Sequence, residues 1–96
     1  MFSFSNICFY GGGAWGQALA IALASLGHKS TLIVSDQIRA DEINSHTSKK
    51  FPHIQLSHLI NASVNASATI KKSNLVFITT ESKRVIDVVK QIFLLK

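Results

Sequence analysis

Three glycines with fixed spacing are the residues of this chain best placed to bind a ligand. Gly11, Gly13 and Gly16 form a G-x-G-x-x-G pattern between an apolar run that predicts a strand and a small-residue stretch that predicts a helix. The first glycine permits a tight turn, the second lets a pyrophosphate approach the backbone, and the third lets the helix pack on the strand. Unpaired N–H groups at the positive helix end would bind the phosphates. The pattern predicts dinucleotide binding; a turn without ligand, or one that binds another nucleotide such as S-adenosylmethionine, is the alternative.

The type of dinucleotide depends on the residues that follow the second predicted strand. Asp36 lies 20 residues beyond Gly16, where a carboxylate would hold a ribose hydroxyl and favour NAD. Asp36 also fits as the N-cap of the next helix. An arginine near this position favours NADP; Arg39 is expected on the exposed side of that helix, with a phosphate contact as the alternative. The sequence therefore leaves NAD and NADP both open.

Two further positions are candidates for the cofactor crevice. Trp15 lies inside the glycine turn, where it would either cover the cofactor or pack on a neighbouring loop. Residues 79–82 follow the last predicted strand. The carboxyl ends of parallel strands face the ligand crevice, so this turn is expected to approach the cofactor. The alternative for this turn is ordinary helix capping by Ser82.

The remaining reactive residues are not arranged for catalysis or metal binding. The four histidines lack metal-ligand spacing and no Cys, Asp or Glu cluster completes a site, so no metal site and no catalytic residue is predicted. Cys8 is expected to be a buried thiol, which suits a reducing cytoplasm. Ten Lys and Arg against five Asp and Glu give a net charge of +5, but the basic residues are dispersed, so no nucleic-acid partner is predicted.

Apolar and polar patterning predicts four strands that alternate with four helices. The strands are expected near residues 6–10, 30–34, 59–62 and 75–79, and the helices near 14–26, 37–45, 66–72 and 83–95. Residues 46–58 have no period and predict a loop. Gly27 is expected to end the first helix, and Asn65 is expected to cap the third. This order predicts an α/β fold, a Rossmann-type doubly wound parallel sheet that is incomplete at about four strands with flanking helices. No apolar stretch is long enough to insert in a membrane, and a cytoplasmic location is expected.

Several segments of this chain together resemble one enzyme family. Residues 10–20, with the run Trp15-Gly16-Gln17-Ala18-Leu19-Ala20, and residues 26–29, 51–56 and 75–82 are similar to the N-terminal segment of bacterial NAD(P)-dependent glycerol-3-phosphate dehydrogenases. The resemblance covers nearly all of the chain. It implies reversible hydride transfer between glycerol 3-phosphate and dihydroxyacetone phosphate, for phospholipid synthesis, with NAD or NADP as cofactor.

The resemblance also implies roles for individual residues. It places cofactor contacts at Ala14 and Trp15, and at a position after strand two that is basic in the family and is Ser35 here. Ala14 stands where the family has Ser or Thr, Ile33 where it has Trp, and Glu81 where it has Pro. The loss of the basic residue puts a preference for NADP in doubt, and the other changes suggest a divergent or decaying copy.

A full doubly wound dinucleotide domain has about six strands, so residues 1–96 are expected to be a truncated N-terminal NAD(P)-binding domain, with a complete minimal domain as the alternative. The family's catalytic lysine and helical substrate domain lie beyond residue 96, so the chain alone is expected to be catalytically incompetent. A small phosphorylated substrate would bind only if that domain were supplied. A stand-alone NAD(H)-binding or regulatory module, a non-functional gene remnant, and a sister dehydrogenase of the ketopantoate-reductase type are the alternatives.

Overall fold

The computed structural model describes residues 6–80 and 84–95, in which strands and helices alternate along the chain. The strands are β1 (Ile7–Tyr10), β2 (Ser30–Ile33), β3 (Ile60–Ser63) and β4 (Leu75–Ile78). The helices are α1 (Ala14–Ser25), α2 (Gln37–Asn44), α3 (Ala66–Lys72) and α4 (Val85–Leu95). The predicted order is confirmed, and each boundary lies within two residues of its expected place. The predicted cap at Ser82 lies outside the described residues.

All four strands run parallel in one sheet with the order β3-β2-β1-β4. In this register Tyr10 at the end of β1 lies between Ile33 of β2 and Ile78 of β4. The residues that follow these three strands therefore meet at one edge of the sheet. The chain moves outward from β1 to β2 and β3, then returns to the other side of β1, which is the reversal where ligands bind in doubly wound folds.

Neighbouring strand residues point to opposite sides of the sheet, and helices cover both sides. On one face, Phe9 and Leu32 pack in a buried cluster with Ala20 of α1 and Ile43 of α2. On the other face, one smaller cluster joins Ile70 of α3 to buried residues of β1 and β2. Cys8 lies in that second cluster as a fully buried thiol, as the sequence predicts.

Helix α1 ends at the glycine expected to stop it. Gly27 has a φ of +87°, a left-handed conformation that a glycine adopts without steric cost. The N–H of Gly27 donates to the Ala24 carbonyl at 2.9 Å, and the N–H of His28 donates to the Leu23 carbonyl at 3.0 Å. These paired bonds form a Schellman motif, which returns the chain toward β2.

Two kinds of feature are missing from the part of the chain that the structure describes. None of its helices has both the length and the apolar composition needed to cross a lipid bilayer. Within the same residues, no three His, Cys, Asp or Glu side chains lie close enough together to hold a metal ion.

Candidate functional site

The glycine turn connects β1 to α1 at the carboxyl edge of the sheet. Gly11 has a φ of +130°, and its N–H donates to the Ile33 carbonyl of β2 at 3.1 Å. A Cβ atom at this position would lie 3.0 Å from backbone atoms of Thr79 and Thr80. Backbone atoms cannot move aside as a flexible side chain would. The turn therefore requires glycine here for both its conformation and its space.

Gly16 brings the first turn of α1 against the end of the sheet. A Cβ atom there would overlap the Gly11 carbonyl oxygen and lie 2.8 Å from the Thr79 hydroxyl oxygen. That hydroxyl donates to the Gly11 carbonyl at 3.0 Å, which ties the residue after β4 to the turn after β1. Gly16, the third glycine of the pattern, therefore allows the close packing of helix on strand that the sequence predicts.

Side chains hold the turn through the carbonyl oxygen of Gly12. The Gln17 amide nitrogen donates to this oxygen at 2.8 Å, and the Arg39 guanidinium donates to it at 3.2 Å. Gln17 is 1% exposed, and its amide oxygen accepts a hydrogen bond from the buried Ser48 hydroxyl. Because Ser48 occupies the amide oxygen, the amide nitrogen of Gln17 is directed to Gly12. The loop at residues 46–58 is thereby connected to the turn.

The N-terminus of α1 keeps its backbone N–H groups available. The first hydrogen bond of the helix runs from the Gln17 N–H to the Gly13 carbonyl at 3.0 Å, so the N–H groups of residues 14–16 precede it. The N-cap is Gly13, no side chain caps the helix, and its first turn contains no acidic residue. A Cβ atom at Gly13 would have no neighbour within 4 Å. An anion placed here would meet donors, a favourable dipole and open space.

The end of β2 presents a different arrangement. Asp36 is the N-cap of α2, and its carboxylate accepts a hydrogen bond from the Arg39 N–H at 2.7 Å. The capping alternative for Asp36 is therefore the one observed. Arg39 differs from the expectation of an exposed residue, because it is half-buried and its guanidinium reaches back to the glycine turn.

A cleft of about 520 Å³ lies over the carboxyl edge of the sheet. The glycine turn, the end of β2 and the residues after β4 all line it, so Thr79 and Thr80 lie where the sequence predicts. Its described lining residues are Tyr10, Gly11, Gly12, Gly13, Ile33, Val34, Ser35, Arg39, Val64, Ala66, Thr79, Thr80, Arg84 and Gln91. Glu81 and Ser82 of the predicted turn lie outside the described residues.

The structure brings only some of the predicted site residues into the cleft. Gly11, Gly13 and Ser35 line it, whereas Ala14 and Trp15 follow the turn with exposed side chains, Trp15 at 66%. Gly16 lies behind the turn, and Asp36 lies at the start of α2. Other residues contribute to the site at positions that the G-x-G-x-x-G pattern does not specify: Gly12, Gln17, Arg39, Ser48 and Arg84.

The sequence offers one of these residues, Arg39, a phosphate contact as the alternative to an exposed position on α2. Arg39 is three residues beyond the N-cap Asp36, and side chains in a helix point back toward its N-terminus. That direction leads toward the end of β2. The contacts of Gln17 and Ser48 join residues 31 positions apart, and nothing local in the sequence indicates them.

Comparison with known proteins now identifies the family. Residues 6–95 match the family model described as the NAD-dependent glycerol-3-phosphate dehydrogenase N-terminus. The chain belongs to this family. A glycerol-3-phosphate dehydrogenase [NAD(P)+] of Halothermothrix orenii is 35% identical over 89 residues, which are 91% of this chain and 26% of that protein. The corresponding protein of Orientia tsutsugamushi is 36% identical over 76 residues, 77% of this chain and 23% of that protein.

A solved structure has the same fold. The crystal structure of glycerol-3-phosphate dehydrogenase from Coxiella burnetii matches with a TM-score of 0.82 and 24% identity over 95% of this chain, which is 29% of that chain. This match confirms the Rossmann-type α/β architecture of the glycerol-3-phosphate dehydrogenase N-terminus. The present chain spans about a quarter of the length of the curated relatives it matches.

Proposed function

We propose that this chain is the cofactor-binding part of an NAD(P)-dependent glycerol-3-phosphate dehydrogenase. The observation that carries the proposal is the open N-terminus of α1 beside a cleft of about 520 Å³. The glycine turn is held through the Gly12 carbonyl, so its bonds to side chains use none of the N–H groups that a pyrophosphate would need. Family membership supports the same ligand class.

The proposed cofactor contacts follow from the positions of the residues. Gly11 and Gly16 shape the turn, and Gly13 leaves the space through which a phosphate reaches the backbone. Ala14 and Trp15 would contribute their N–H groups at the first turn of α1, since their side chains are exposed and do not line the cleft. Ser35 would offer a hydroxyl at the ribose side of the cleft, while Asp36 keeps its role as the cap of α2.

The proposed reaction transfers a hydride between glycerol 3-phosphate and dihydroxyacetone phosphate in the cytoplasm. Bound NAD(P) would supply or accept the hydride. The part of the chain that the structure describes would bind and orient the cofactor. No lysine, histidine or carboxylate is among the described residues that line the cleft, so we propose that the acid–base groups of the reaction come from elsewhere. We therefore expect no turnover of dihydroxyacetone phosphate and NADH by the purified 96-residue chain.

Thermal melting with and without NADH and NADPH tests the binding proposal. A ligand that binds only the folded chain raises its stability, by about 2.7 kcal/mol at a concentration 100 times its Kd. For a domain of this size that corresponds to a rise in melting temperature of roughly 10 °C or more. A cooperative melt that neither cofactor shifts at millimolar concentration would contradict the proposal. Gly13→Asp, which places a carboxylate at the phosphate position, is the matched control and should abolish any shift.

A further inference from the structure

Arg39 is the one charged side chain that the described structure places in the cleft on the β2 side. We propose that Arg39 recognises the 2′-phosphate of the adenosine ribose, so that this chain prefers NADP(H) to NAD(H). The inference rests on the proposed dinucleotide function and adds a specificity to it. It follows from the position of the guanidinium, the engagement of the nearby carboxylate, and the neighbouring hydroxyl.

The guanidinium is held at the cleft rather than free in solvent. It donates one hydrogen bond to the Gly12 carbonyl at 3.2 Å, and the Arg39 side chain lies 3.6 Å from the place of a Cβ at Gly12. A guanidinium has five N–H donors in a rigid plane, so this bond leaves others available for a phosphate. A half-buried arginine that is already oriented loses less entropy on binding than an exposed one.

No acidic partner among the described residues neutralises this charge. The nearby carboxylate, that of Asp36, accepts from the backbone N–H of Arg39 at 2.7 Å and does not line the cleft. Discrimination in favour of NAD uses a carboxylate that accepts from the ribose hydroxyls, whereas a 2′-phosphate requires a cation and donors. On the β2 side the described lining offers a guanidinium and the hydroxyl of Ser35. This set of donors fits a phosphate better than a free ribose diol.

The test compares the affinities of NADP⁺ and NAD⁺ for the full chain by isothermal titration calorimetry. We expect NADP⁺ to bind about tenfold tighter than NAD⁺, or more, because its phosphate adds a charge-assisted hydrogen bond. Arg39→Ala should weaken NADP⁺ about tenfold more than NAD⁺, because NAD⁺ loses only the support that Arg39 gives to the Gly12 carbonyl. Arg39→Lys keeps the charge without the planar pair of donors, so its affinity for NADP⁺ should lie between those of the unmodified chain and Arg39→Ala. The preference of the unmodified chain stands as a test even if a variant folds poorly.

Arg84→Ala is the matched control. Arg84 lines the same cleft but follows β4, on the other side of β1 from Arg39. Its removal takes away an equal charge and should change both affinities by the same factor. Equal binding of NADP⁺ and NAD⁺ to the unmodified chain, or equal weakening of both by Arg39→Ala, would overturn this inference and leave the proposed function intact. Binding of neither cofactor would overturn the proposed function and this inference with it.

Discussion

Three helices of this fold begin in two ways: a side chain caps α2 and α3, whereas no side chain caps α1. Helix α2 is capped by the Asp36 carboxylate, and α3 is capped by the Asn65 side chain, which accepts from the Ala68 N–H at 3.0 Å. Helix α1 begins at Gly13, which has no side chain to cap it. A cap satisfies backbone donors and typically stabilises a helix by about 1 kcal/mol. Of these three helices, the one without a cap follows directly from the glycine turn that lines the cleft.

Side chains bond to different backbone groups at the two kinds of helix start. At α2 and α3 a side-chain oxygen accepts from backbone N–H groups, whereas at α1 the side chains of Gln17 and Arg39 donate to the Gly12 carbonyl. This arrangement orders the glycine turn while it leaves donors for an anion. The difference supports the proposed anion site at the start of α1, whereas side-chain caps stabilise the starts of α2 and α3.

Gly16→Ala should have the largest effect, because it disturbs the packing beneath the α1 start. Its Cβ would overlap the Gly11 carbonyl oxygen and crowd the Thr79 hydroxyl. We expect a loss of about 3 kcal/mol in the free energy of unfolding, as for overpacked sites, measured by urea denaturation. Gly13→Ala is the control, since its Cβ meets nothing within 4 Å, and it should cost less than about 1 kcal/mol. Equal losses in both variants would show that the glycine pattern has no close-packing role.

Gln17→Leu tests whether the turn depends on its carbonyl bonds. The change removes the donor to Gly12 and leaves the buried Ser48 hydroxyl without its acceptor. We expect the free energy of unfolding to fall by about 2 kcal/mol, the usual cost of buried polar groups without partners. Ser48→Ala keeps the bond from Gln17 to Gly12 and should cost about 1 kcal/mol in the same urea experiment. A larger loss from Ser48→Ala than from Gln17→Leu would contradict this assignment.

Asp36→Ala tests the capped type of helix start. It removes the acceptor for the Arg39 N–H and should lower the free energy of unfolding by about 1 kcal/mol, or the melting temperature by roughly 4–8 °C. Asp36→Asn keeps a good cap and should be nearly neutral. Calorimetric affinity for either cofactor should stay within about twofold in both variants. A tenfold loss of NAD⁺ affinity in Asp36→Asn, without loss of stability, would assign Asp36 to the ribose instead.

Gly13→Asp converts the α1 start into the type seen at α2. The new carboxylate can accept from the free N–H groups, so we expect the ligand-free chain to gain a few tenths of a kcal/mol. The same carboxylate repels a phosphate and fills its space, so the melting shift with NADH or NADPH should disappear. A variant that is both more stable and still shifted by cofactor would show that the phosphate does not bind at α1.

Local patterns predicted the elements of this fold well and the site in part. Strands, helices, the cap at Asn65 and the terminating Gly27 depend on neighbouring residues, and each lies where the sequence indicates. The double use open to Asp36 could not be resolved locally, because either use requires the same residue type at the same place. The structure shows the cap, since the Asp36 carboxylate accepts from the Arg39 N–H, and the ribose contact stays a prediction.

The sequence by itself determined the glycine turn, its strand and helix, and the class of ligand they suit. Those features arise from residues close together in the chain, where glycine sterics and helix capping act over a few positions. Only the tertiary structure decided that Gln17, Arg39 and Ser48 connect to that turn. Their contacts form because parallel strands bring distant segments to one edge of the sheet, and no local pattern encodes which side chains meet there.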